Sequence, residues 1–372
     1  MQIAPFQTEH FYARYEFDTP YQLCNSDCET VTVEELVEMA DMTMAQLGGV
    51  ALGYTESQGD PQLRAMIAES YDTATPDDIV ELGTPVEGIY LAARAILNPG
   101  DEVIALTPAY DALVNMFEHV VGTGRVKKWA IQPTPTSWTL DFDTLHQLLS
   151  PQTKLIVVNF PHNPTGYLPT LDQLNQLRDI VEQNDLWLFY DEMYYGLVHS
   201  GTPPIPSAVD VTKRSIVLSG LSKTYGLPGL RTGWLVIQDE ALRQNIINWK
   251  YYTSICPPAP SEFLAMVALR ARDQLRDKNI AQIEQNLALA EAFFARWPDL
   301  FTWRRPLAGS TALIGMNVPS VMDYAVELAE QAGVLIHPAV TLGWDDQHMR
   351  MGFGRVAFGE ALEKFEDYLQ RG

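Results

Sequence analysis

The sequence predicts an α/β protein in which a large domain, with a mostly parallel sheet flanked by helices, is joined to a smaller α+β domain. Between residue 75 and about residue 240, short apolar runs alternate with amphipathic segments of helical length. The apolar runs are continuous, which is typical of strands buried on both faces. Such alternation predicts a layered α/β domain. The predicted strands are residues 102–106, 154–160, 186–190, 215–218 and 233–237.

Length and charge narrow the class of protein further. A chain of 372 residues predicts about two domains, and 47% hydrophobic residues are enough for a large core. The net charge of -22 argues against nucleic acid and against an anionic membrane surface as partners. It allows a cationic small substrate, although simple solubility is the commoner reason for such a charge. No segment has the ~18 uninterrupted apolar residues of a membrane helix.

The cysteines favour a reducing compartment. Three residues, Cys24, Cys28 and Cys256, cannot form a disulfide framework, and the first residues lack the blocks of a signal peptide. We therefore expect a cytoplasmic protein. Cys24 and Cys28 have no second Cys/His pair at zinc spacing, so no metal site is predicted.

The first part of the chain is predicted to be ordered. Residues 1–30 combine several aromatic side chains with the acids Glu9, Asp27 and Glu29, which is too aromatic for a disordered tail. Thr32 and Glu35 then form the pattern of a capping box. We expect one helix over about residues 33–47, ending at the two glycines that follow.

Residues 219–234 are predicted to hold the reactive centre. Four glycines and a proline force an irregular path after a buried strand, and that path carries Lys223 and Arg231. An amine among apolar side chains is desolvated and becomes a nucleophile for a Schiff base. The guanidinium of Arg231 suits a phosphate. Pyridoxal 5'-phosphate would use both groups, whereas a glycine-rich loop with two solvated cations explains this stretch alone equally well.

The stretch resembles the fold-type I pyridoxal phosphate enzymes of the aminotransferase class I/II family. Ser222, Lys223 and Arg231 match the Schiff-base motif of that family. Further motifs follow the family's order over nearly the whole chain, at residues 83–92, 107–110, 159–166 and 186–195. The resemblance implies a fold-type I enzyme that binds pyridoxal 5'-phosphate, acts on a small amino acid and forms a homodimer with shared active sites.

The resemblance also implies roles around the cofactor ring. Lys223 would carry the cofactor and move the Cα proton, and Asp191 would pair with the ring nitrogen. Tyr194 and Asn163 would donate hydrogen bonds to the 3'-oxygen, while Tyr110 would stack on the ring. On its residues alone, Asp191 could instead cap a following helix.

The cofactor phosphate is expected at the start of the helix after residue 83, where free N–H groups favour an anion. Thr84, Pro85 and Val86 lie there. Pro85 departs from the family pattern, because a proline lacks the N–H that a small residue would supply. Tyr54 would reach the phosphate of the partner subunit.

The residues that would bind the substrate follow from the resemblance in the same way, but the reaction has alternatives. The resemblance implies that Arg350 grips the substrate carboxylate, next to Asn163. Residues 159–166, 221–234 and 349–353 look like those of capreomycidine synthase, which implies cyclisation of a hydroxylated arginine to a cyclic guanidino amino acid such as L-enduracididine. Glu9 and Asp27 would then bind the guanidinium. Transamination with a 2-oxo acid, and a non-catalytic regulator that binds the cofactor, remain the alternatives.

The rest of the chain completes the predicted domains. Residues 237–300 read as helical with a break at 251–262, and residues 310–370 carry their own strands and helices. We expect a large domain at 41–279 and a small domain at 1–40 and 280–372, with the N-terminal segment over the active site. Residues 352–357 resemble part of a dinucleotide fingerprint, but no βαβ unit follows them.

Overall fold

The computed structural model describes residues 3–371, and within them thirteen α-helices and fifteen strands. The helices are α1 Gln7–Tyr15, α2 Val33–Met39, α3 Met44–Gly48, α4 Pro61–Ala68, α5 Pro85–Ile96, α6 Ala112–Val121, α7 Phe142–Leu148, α8 Leu171–Gln183, α9 Glu240–Lys250, α10 Ala259–Arg270, α11 Arg272–Arg296, α12 Val321–Ala332 and α13 Phe358–Leu369. The strands are β1 Tyr21–Gln22, β2 Ile79–Leu82, β3 Glu102–Thr107, β4 Val126–Ala130, β5 Gln132–Pro133, β6 Trp138–Thr139, β7 Thr153–Asn159, β8 Trp187–Asp191, β9 Ser215–Gly220, β10 Gly233–Val236, β11 Phe301–Thr302, β12 Thr311–Met316, β13 Val334–Leu335, β14 His337–Pro338 and β15 His348–Gly352.

The large domain is built on a seven-stranded sheet with the order β2-β10-β9-β8-β7-β3-β4. Strand β10 is antiparallel to both neighbours, and the other strands are parallel to one another. The carboxyl ends of the parallel strands therefore share one edge. In the register there, Asn159 of β7 lies beside Asp191 of β8. The mostly parallel sheet is confirmed.

The continuous apolar runs arise because both faces of this sheet are covered. Along β7 and β8, Ile156 and Leu188 pack into one buried cluster, whereas Val157 and Phe189 pack into the cluster on the opposite face. Alternate side chains of a strand point to opposite faces. A strand with two buried faces therefore needs apolar residues at every position.

The small domain has a four-stranded antiparallel sheet with the order β11-β12-β15-β14. Its core is a third apolar cluster, to which α11, α12 and α13 contribute. Phe11 and Tyr15 of α1 and Leu23 pack into the same cluster. The N-terminal segment is therefore ordered as predicted and is anchored on the small domain.

The single helix predicted over residues 33–47 is wrong, because the chain forms α2 and α3 instead. The predicted capping box at Thr32 and Glu35 is present at the start of α2. Asp41 takes a left-handed backbone with φ of 53°, which ends helical hydrogen bonding. A second capping box, between Thr43 and Gln46, then starts α3.

The helices after the large sheet match the predicted pattern. A break separates α9 from α10, and α11 runs for 25 residues from one domain to the other. The predicted boundary between residues 279 and 280 falls inside α11, so these domain limits stay a prediction.

Three further observations bear on the sequence-based expectations. All three cysteines are free. Within residues 3–371, no group of His, Cys, Asp and Glu side chains has the arrangement of a metal site. Over the same residues, no helix combines the length and the apolar character that crossing a membrane requires.

Candidate active site

A cavity of about 520 Å³ lies at the carboxyl edge of the large sheet, between this edge, the N-terminal segment and β15. It brings together nearly every residue that the sequence predicted for the site. These are Glu9, Asp27, Thr84, Pro85, Val86, Tyr110, Asn163, Asp191, Tyr194, Ser222, Lys223, Arg231 and Arg350. Their functional roles stay predictions, but their convergence follows from the fold.

Tyr54 is the predicted site residue that the structure places elsewhere. It lies between α3 and α4 with 93% of its surface exposed, and it does not line the cavity. Its predicted role requires a second copy of the chain.

Lys223 follows β9 and reaches into the cavity. Its amine donates a hydrogen bond to Ser26 Oγ at 2.8 Å. Burial lowers the pKa of this amine below the ordinary value for lysine, and the nearby carboxylate of Asp27 opposes the shift only in part. The neutral amine needed for covalent chemistry is therefore more accessible here than at an exposed lysine.

Asp191 is the last residue of β8. Burial raises its pKa to about 6, while the N–H of Met193 donates a hydrogen bond of 3.0 Å to Oδ1 and opposes the shift. Residues 193–196 form turns, so there is no following helix for this carboxylate to cap. A buried acid of this kind is stabilised by a cation.

The end of the cavity near Arg231 carries the groups predicted for a phosphate. Arg231 has a left-handed backbone with φ of 55°, and its guanidinium donates to Thr84 Oγ1 at 2.6 Å. Thr84 directly precedes α5, whose first residue is Pro85. The N–H of Gly83 is already used, because it donates to Glu87 Oε2 at 2.9 Å. Gly83 therefore does not offer its N–H to an anion, and Pro85 has no N–H to offer.

Sheet glycines allow α5 to start this close to the edge of the sheet. A Cβ at Gly233 would lie 2.7 Å from Pro85 Cγ, and a Cβ at Gly220 would lie 2.9 Å from the carbonyl oxygen of Thr232. A side chain at Gly233 would displace the helix start, and one at Gly220 would clash with the backbone at Thr232. Gly233, one of the glycines in residues 219–234, thus sets the position of the predicted phosphate site.

Arg350 of β15 is buried with 2% of its surface exposed. Its guanidinium donates to Asn163 Oδ1 at 3.2 Å, to the carbonyl oxygen of Cys24 at 3.0 Å and to the hydroxyl of Tyr12. Its Nε is buried and has no hydrogen-bond partner among the described residues. The side chain is therefore held rigidly where it lines the cavity.

The N-terminal segment supplies three carboxylates to the cavity: Glu9, Glu16 and Asp27. Glu9, Tyr12 and Glu16 follow the spacing of one helical face. Burial, with repulsion from Glu9 and Asp27, raises the pKa of Glu16. A cation in the cavity would relieve this repulsion.

Two of these carboxylates already have partners in the chain. Asp27 pairs with the guanidinium of Arg355 at 2.9 Å, and Arg355 also lies 3.5 Å from Glu29. Glu9 accepts a hydrogen bond of 3.0 Å from the hydroxyl of Tyr110. The third carboxylate, Glu16, has no side-chain partner among the described hydrogen bonds and ion pairs.

Residues 24–29 lie directly against β15 and the residues after it. A Cβ at Gly352 would stand 1.6 Å from the carbonyl oxygen of Asn25, and one at Gly354 would stand 2.4 Å from that of Asp27. The glycines that resemble a dinucleotide fingerprint therefore have a packing role. They let Ser26 and Asp27 reach the cavity.

Sequence reasoning missed Tyr12, Glu16, Ser26 and Arg355. The helical spacing of Glu9, Tyr12 and Glu16 could have indicated the first two. Nothing local to Ser26 or Arg355 marks them, because each reaches the cavity through contacts with distant parts of the chain.

The comparisons with known proteins agree with this geometry. The family model for aminotransferase class I and II matches residues 20–367, and the chain belongs to this family. It therefore has the fold-type I architecture, is an enzyme and uses pyridoxal 5'-phosphate.

Named relatives fall into two groups. The chain is 31% identical over 298 residues to capreomycidine synthase of Streptomyces vinaceus, covering 80% of this chain and 75% of the relative. It is 30% identical over 364 residues to an aspartate aminotransferase of Sulfolobus acidocaldarius, covering 90% and 86% of the two chains.

Solved structures divide in the same way. A pyridoxal phosphate-dependent aminotransferase from Streptococcus suis superposes with a TM-score of 0.92 at 26% identity, covering 100% of this chain and 99% of the other. The pyridoxal phosphate-dependent cyclase OrfR superposes with a TM-score of 0.91 at 25% identity, covering 100% and 98%. The capreomycidine synthase-like resemblance is thus supported, beside a general aminotransferase likeness.

The residues of the cavity fit the cofactor of this family. Lys223 offers an amine with a lowered pKa, and Asp191 is a buried acid without a cationic side-chain partner among the described ion pairs. Arg231 and Thr84 supply a cation and a hydroxyl near a helix start. These groups match an aldehyde, a ring nitrogen and a phosphate in turn.

Proposed function

We propose that this enzyme cyclises a hydroxylated L-arginine to a cyclic guanidino amino acid such as L-enduracididine. The observation that carries the proposal is one cavity with a rigid arginine for a carboxylate and three carboxylates for a cation. The likeness to capreomycidine synthase and to the cyclase OrfR supports the reaction class.

Arg350 is proposed to bind the α-carboxylate of the substrate. Tyr12, Asn163 and the carbonyl of Cys24 fix its terminal nitrogens, so little conformational freedom is lost on binding. A charge-assisted hydrogen bond from the guanidinium would orient the substrate at one end.

Glu9, Glu16 and Asp27 are proposed to recognise the guanidinium. A planar guanidinium donates two parallel hydrogen bonds to a carboxylate, and its charge relieves the repulsion that raises the pKa of Glu16. Glu16, which has no side-chain partner, is added here to the two predicted acids. Arg355 keeps the cluster from carrying three uncompensated charges.

Pyridoxal phosphate supplies an electron sink for the electron pair left at Cα when its proton departs. Lys223 Nζ would take that proton and return it, with Ser26 holding the amine in place. Asp191 would hold positive charge at the ring nitrogen. Tyr194 and Asn163 would orient the ring oxygen.

The acids and Arg350 together would hold a guanidine nitrogen near Cγ, which makes ring closure a unimolecular step. Overall, the γ-hydroxyl leaves as water and a C–N bond forms at Cγ, while a guanidine nitrogen loses a proton. Protons leave Cα and Cβ and are returned. The balance needs no oxidant and no 2-oxo acid.

Transamination is the second candidate. It is favoured by the 30% identity to an aspartate aminotransferase over 90% of this chain. In that reaction only the Cα proton moves, and a 2-oxo acid is consumed. Glu9, Glu16 and Asp27 would then bind an amino donor that has a cationic side chain.

Solvent deuterium exchange separates the two reactions. The purified holoenzyme is incubated in D2O with γ-hydroxy-L-arginine, with and without 2-oxoglutarate, and the products are read by mass and NMR. Cyclisation predicts a product lighter by one water, with deuterium at Cα and Cβ, formed without 2-oxoglutarate. Exchange at Cα alone, with the oxo acid consumed, would leave the enzyme an aminotransferase.

The substrate assignment has its own control. Glu16→Gln should weaken the hydroxyarginine reaction about 10-fold or more, since a hydrogen bond between charged groups is lost. Glu360→Gln changes an acid on α13, away from the cavity, and should have no effect. Equal activity of the Glu16 variant would remove that residue from the proposal.

We also infer a symmetric dimer. Tyr54 is 93% exposed, and Leu52 and Tyr252 are exposed at 82% and 86%. Large exposed apolar side chains are typical of an interaction surface, and a dimer is the default assembly. Sedimentation should show a dimer, and an active monomer would contradict the role of Tyr54 in the partner's site.

A further inference from the structure

Asp111 makes an unusual set of hydrogen bonds. Its carboxylate accepts from the N–H of Gln7 at 2.8 Å, from the N–H of Thr8 at 3.3 Å and from the hydroxyl of Thr8 at 2.7 Å. Asp111 and Thr8 are both buried, at 6% and 2% exposure. A residue more than a hundred positions away therefore satisfies the first N–H groups of α1.

These hydrogen bonds supply the missing cap of α1, at the expense of a cap on α6. Phe6, at the N-cap position of α1, makes no side-chain cap, and a helix start without one leaves its N–H groups unsatisfied. Asp111 itself stands at the N-cap position of α6, where an aspartate is expected to cap its own helix. It makes no such bond to α6. The carboxylate is thus committed to α1, where it also meets the positive end of the helix dipole.

Neighbouring contacts place the first turn of α1 at the mouth of the cavity. Tyr110, the residue before Asp111, donates to Glu9, and its ring lies 5.0 Å from that of Phe6. One turn later, Tyr12 stacks on His337 at 5.0 Å and accepts from Arg350. Helix α1 therefore connects the turn after β3 with Arg350 of β15, the residue proposed to bind the substrate carboxylate.

We propose that Asp111 is a positioning residue that fixes α1 across the cavity and thereby sets where Glu9 and Glu16 meet the substrate. This inference rests on the proposed guanidinium recognition by those acids. Asp111 would act only through α1. Without its bonds, the first turn of α1 would open, and the acids would lose their fixed distance from Arg350.

Two measurements on the holoenzyme test the proposal: amide hydrogen exchange in α1 and the binding of two amino acids. In Asp111→Ala, amide hydrogen exchange of residues 7–15 should accelerate about 10-fold, the effect of a lost helix cap. Binding of L-arginine should weaken about 10-fold, whereas binding of L-norvaline, which has a three-carbon side chain and no guanidinium, should change less than about twofold. Asp111→Asn keeps one acceptor oxygen and should lie between Asp111→Ala and the unmodified enzyme in both measurements.

Asp141 is a matched control. It caps α7 by accepting from the N–H of Thr144 at 3.0 Å and from its hydroxyl at 2.6 Å, the same kinds of bond, and it does not line the cavity. Asp141→Ala should speed exchange in α7 and leave α1 and arginine binding unchanged.

The outcomes distinguish this inference from the proposed function. Unchanged exchange in α1 for both Asp111 variants would overturn it, as would faster exchange with arginine and norvaline binding weakened alike. If the unmodified enzyme binds arginine no better than norvaline, guanidinium recognition fails. The exchange measurement would then still decide whether Asp111 holds α1.

Discussion

The carboxyl edge of the large sheet and the N-terminal segment face each other across one cavity, but they are held in different ways. At the sheet edge, Asp191 ends and Lys223 follows a strand whose apolar side chains are buried on both faces. The N-terminal segment is anchored on an apolar cluster of the small domain. Its cavity-facing carboxylates, in contrast, are held by polar bonds to distant residues, such as those of Glu9 with Tyr110 and of Asp27 with Arg355, and Asp111 holds the first turn of α1. We call these two sides of the cavity the sheet wall and the N-terminal wall. They meet where Lys223 contacts Ser26.

This difference suggests a division of labour. Residues fixed by a packed core keep their positions under many changes, which suits groups that act on every substrate of the family. Residues held by a few polar bonds can be rearranged at lower cost, which suits substrate selection. Changes in the sheet wall should therefore reduce the rate for all substrates, and changes in the N-terminal wall should alter the choice of substrate.

The largest effect is expected at Lys223. Lys223→Ala should abolish turnover with every amino acid, because the covalent link and the proton carrier disappear together. Borohydride reduction of the unmodified holoenzyme should fix the cofactor on Lys223. Lys250 is an internal control, since it is also buried with a lowered pKa but lies outside the cavity. A label on Lys250 would overturn the assignment.

Asp191→Asn should reduce kcat by about 10²–10³-fold, because a charge that stabilises the reacting state is removed from a buried site. Arginine derivatives and other amino acids should be affected alike, as the two-wall comparison requires. Steady-state kinetics with both kinds of substrate measures this. A rate near that of the unmodified enzyme would mean that Asp191 serves only the local turn with Met193.

In the N-terminal wall, Gly352→Ala should weaken binding of guanidino substrates about 10-fold and lower stability by about 1–3 kcal/mol. Its Cβ would overlap the carbonyl oxygen of Asn25 and push residues 24–29 out of place. Gly48→Ala is the control, because Gly48 lies outside the cavity and nothing lies within 4 Å of a Cβ there. Equal affinities for hydroxyarginine in the two variants would break the comparison.

The smallest effect is a pH dependence of stability in the sheet wall. Burial raises the pKa of Glu192 to about 8, so the folded protein holds a proton that the unfolded chain releases above about pH 4.3. This stabilisation is complete below pH 4.3 and is lost as the pH rises toward 8. Glu192→Gln should therefore show a shallower fall of Tm between pH 5 and 8, by a few degrees. Parallel Tm profiles of the two proteins would contradict it.

The two walls also differ in how far the sequence predicts them. Asp191 and Lys223 were predictable because each ends or follows an apolar run, and the carboxyl ends of parallel strands share one edge. Ser26 and Arg355 were not, because their contacts join residues 24–29 with the chain after β15. The break at Asp41 was missed in favour of one helix, although Thr43 and Gln46 form a capping box.

The role of Tyr54 escapes prediction for a different reason. A single chain leaves this side chain almost fully exposed, and its predicted role needs a second copy of the chain. Neither the local sequence nor the fold of one chain decides such a role.

The close approach at Gly352 and Gly354 has a use in comparing whole families of sequences. A relative with a side chain at either position must route its N-terminal segment along another path, and so must present other groups to the substrate. The two glycines thus offer a marker for sorting aminotransferase class I and II sequences by the architecture of this segment before any substrate is tested. They also set a requirement for protein engineering: transplanting residues 24–29 into another scaffold of the family would need both glycines transplanted with them.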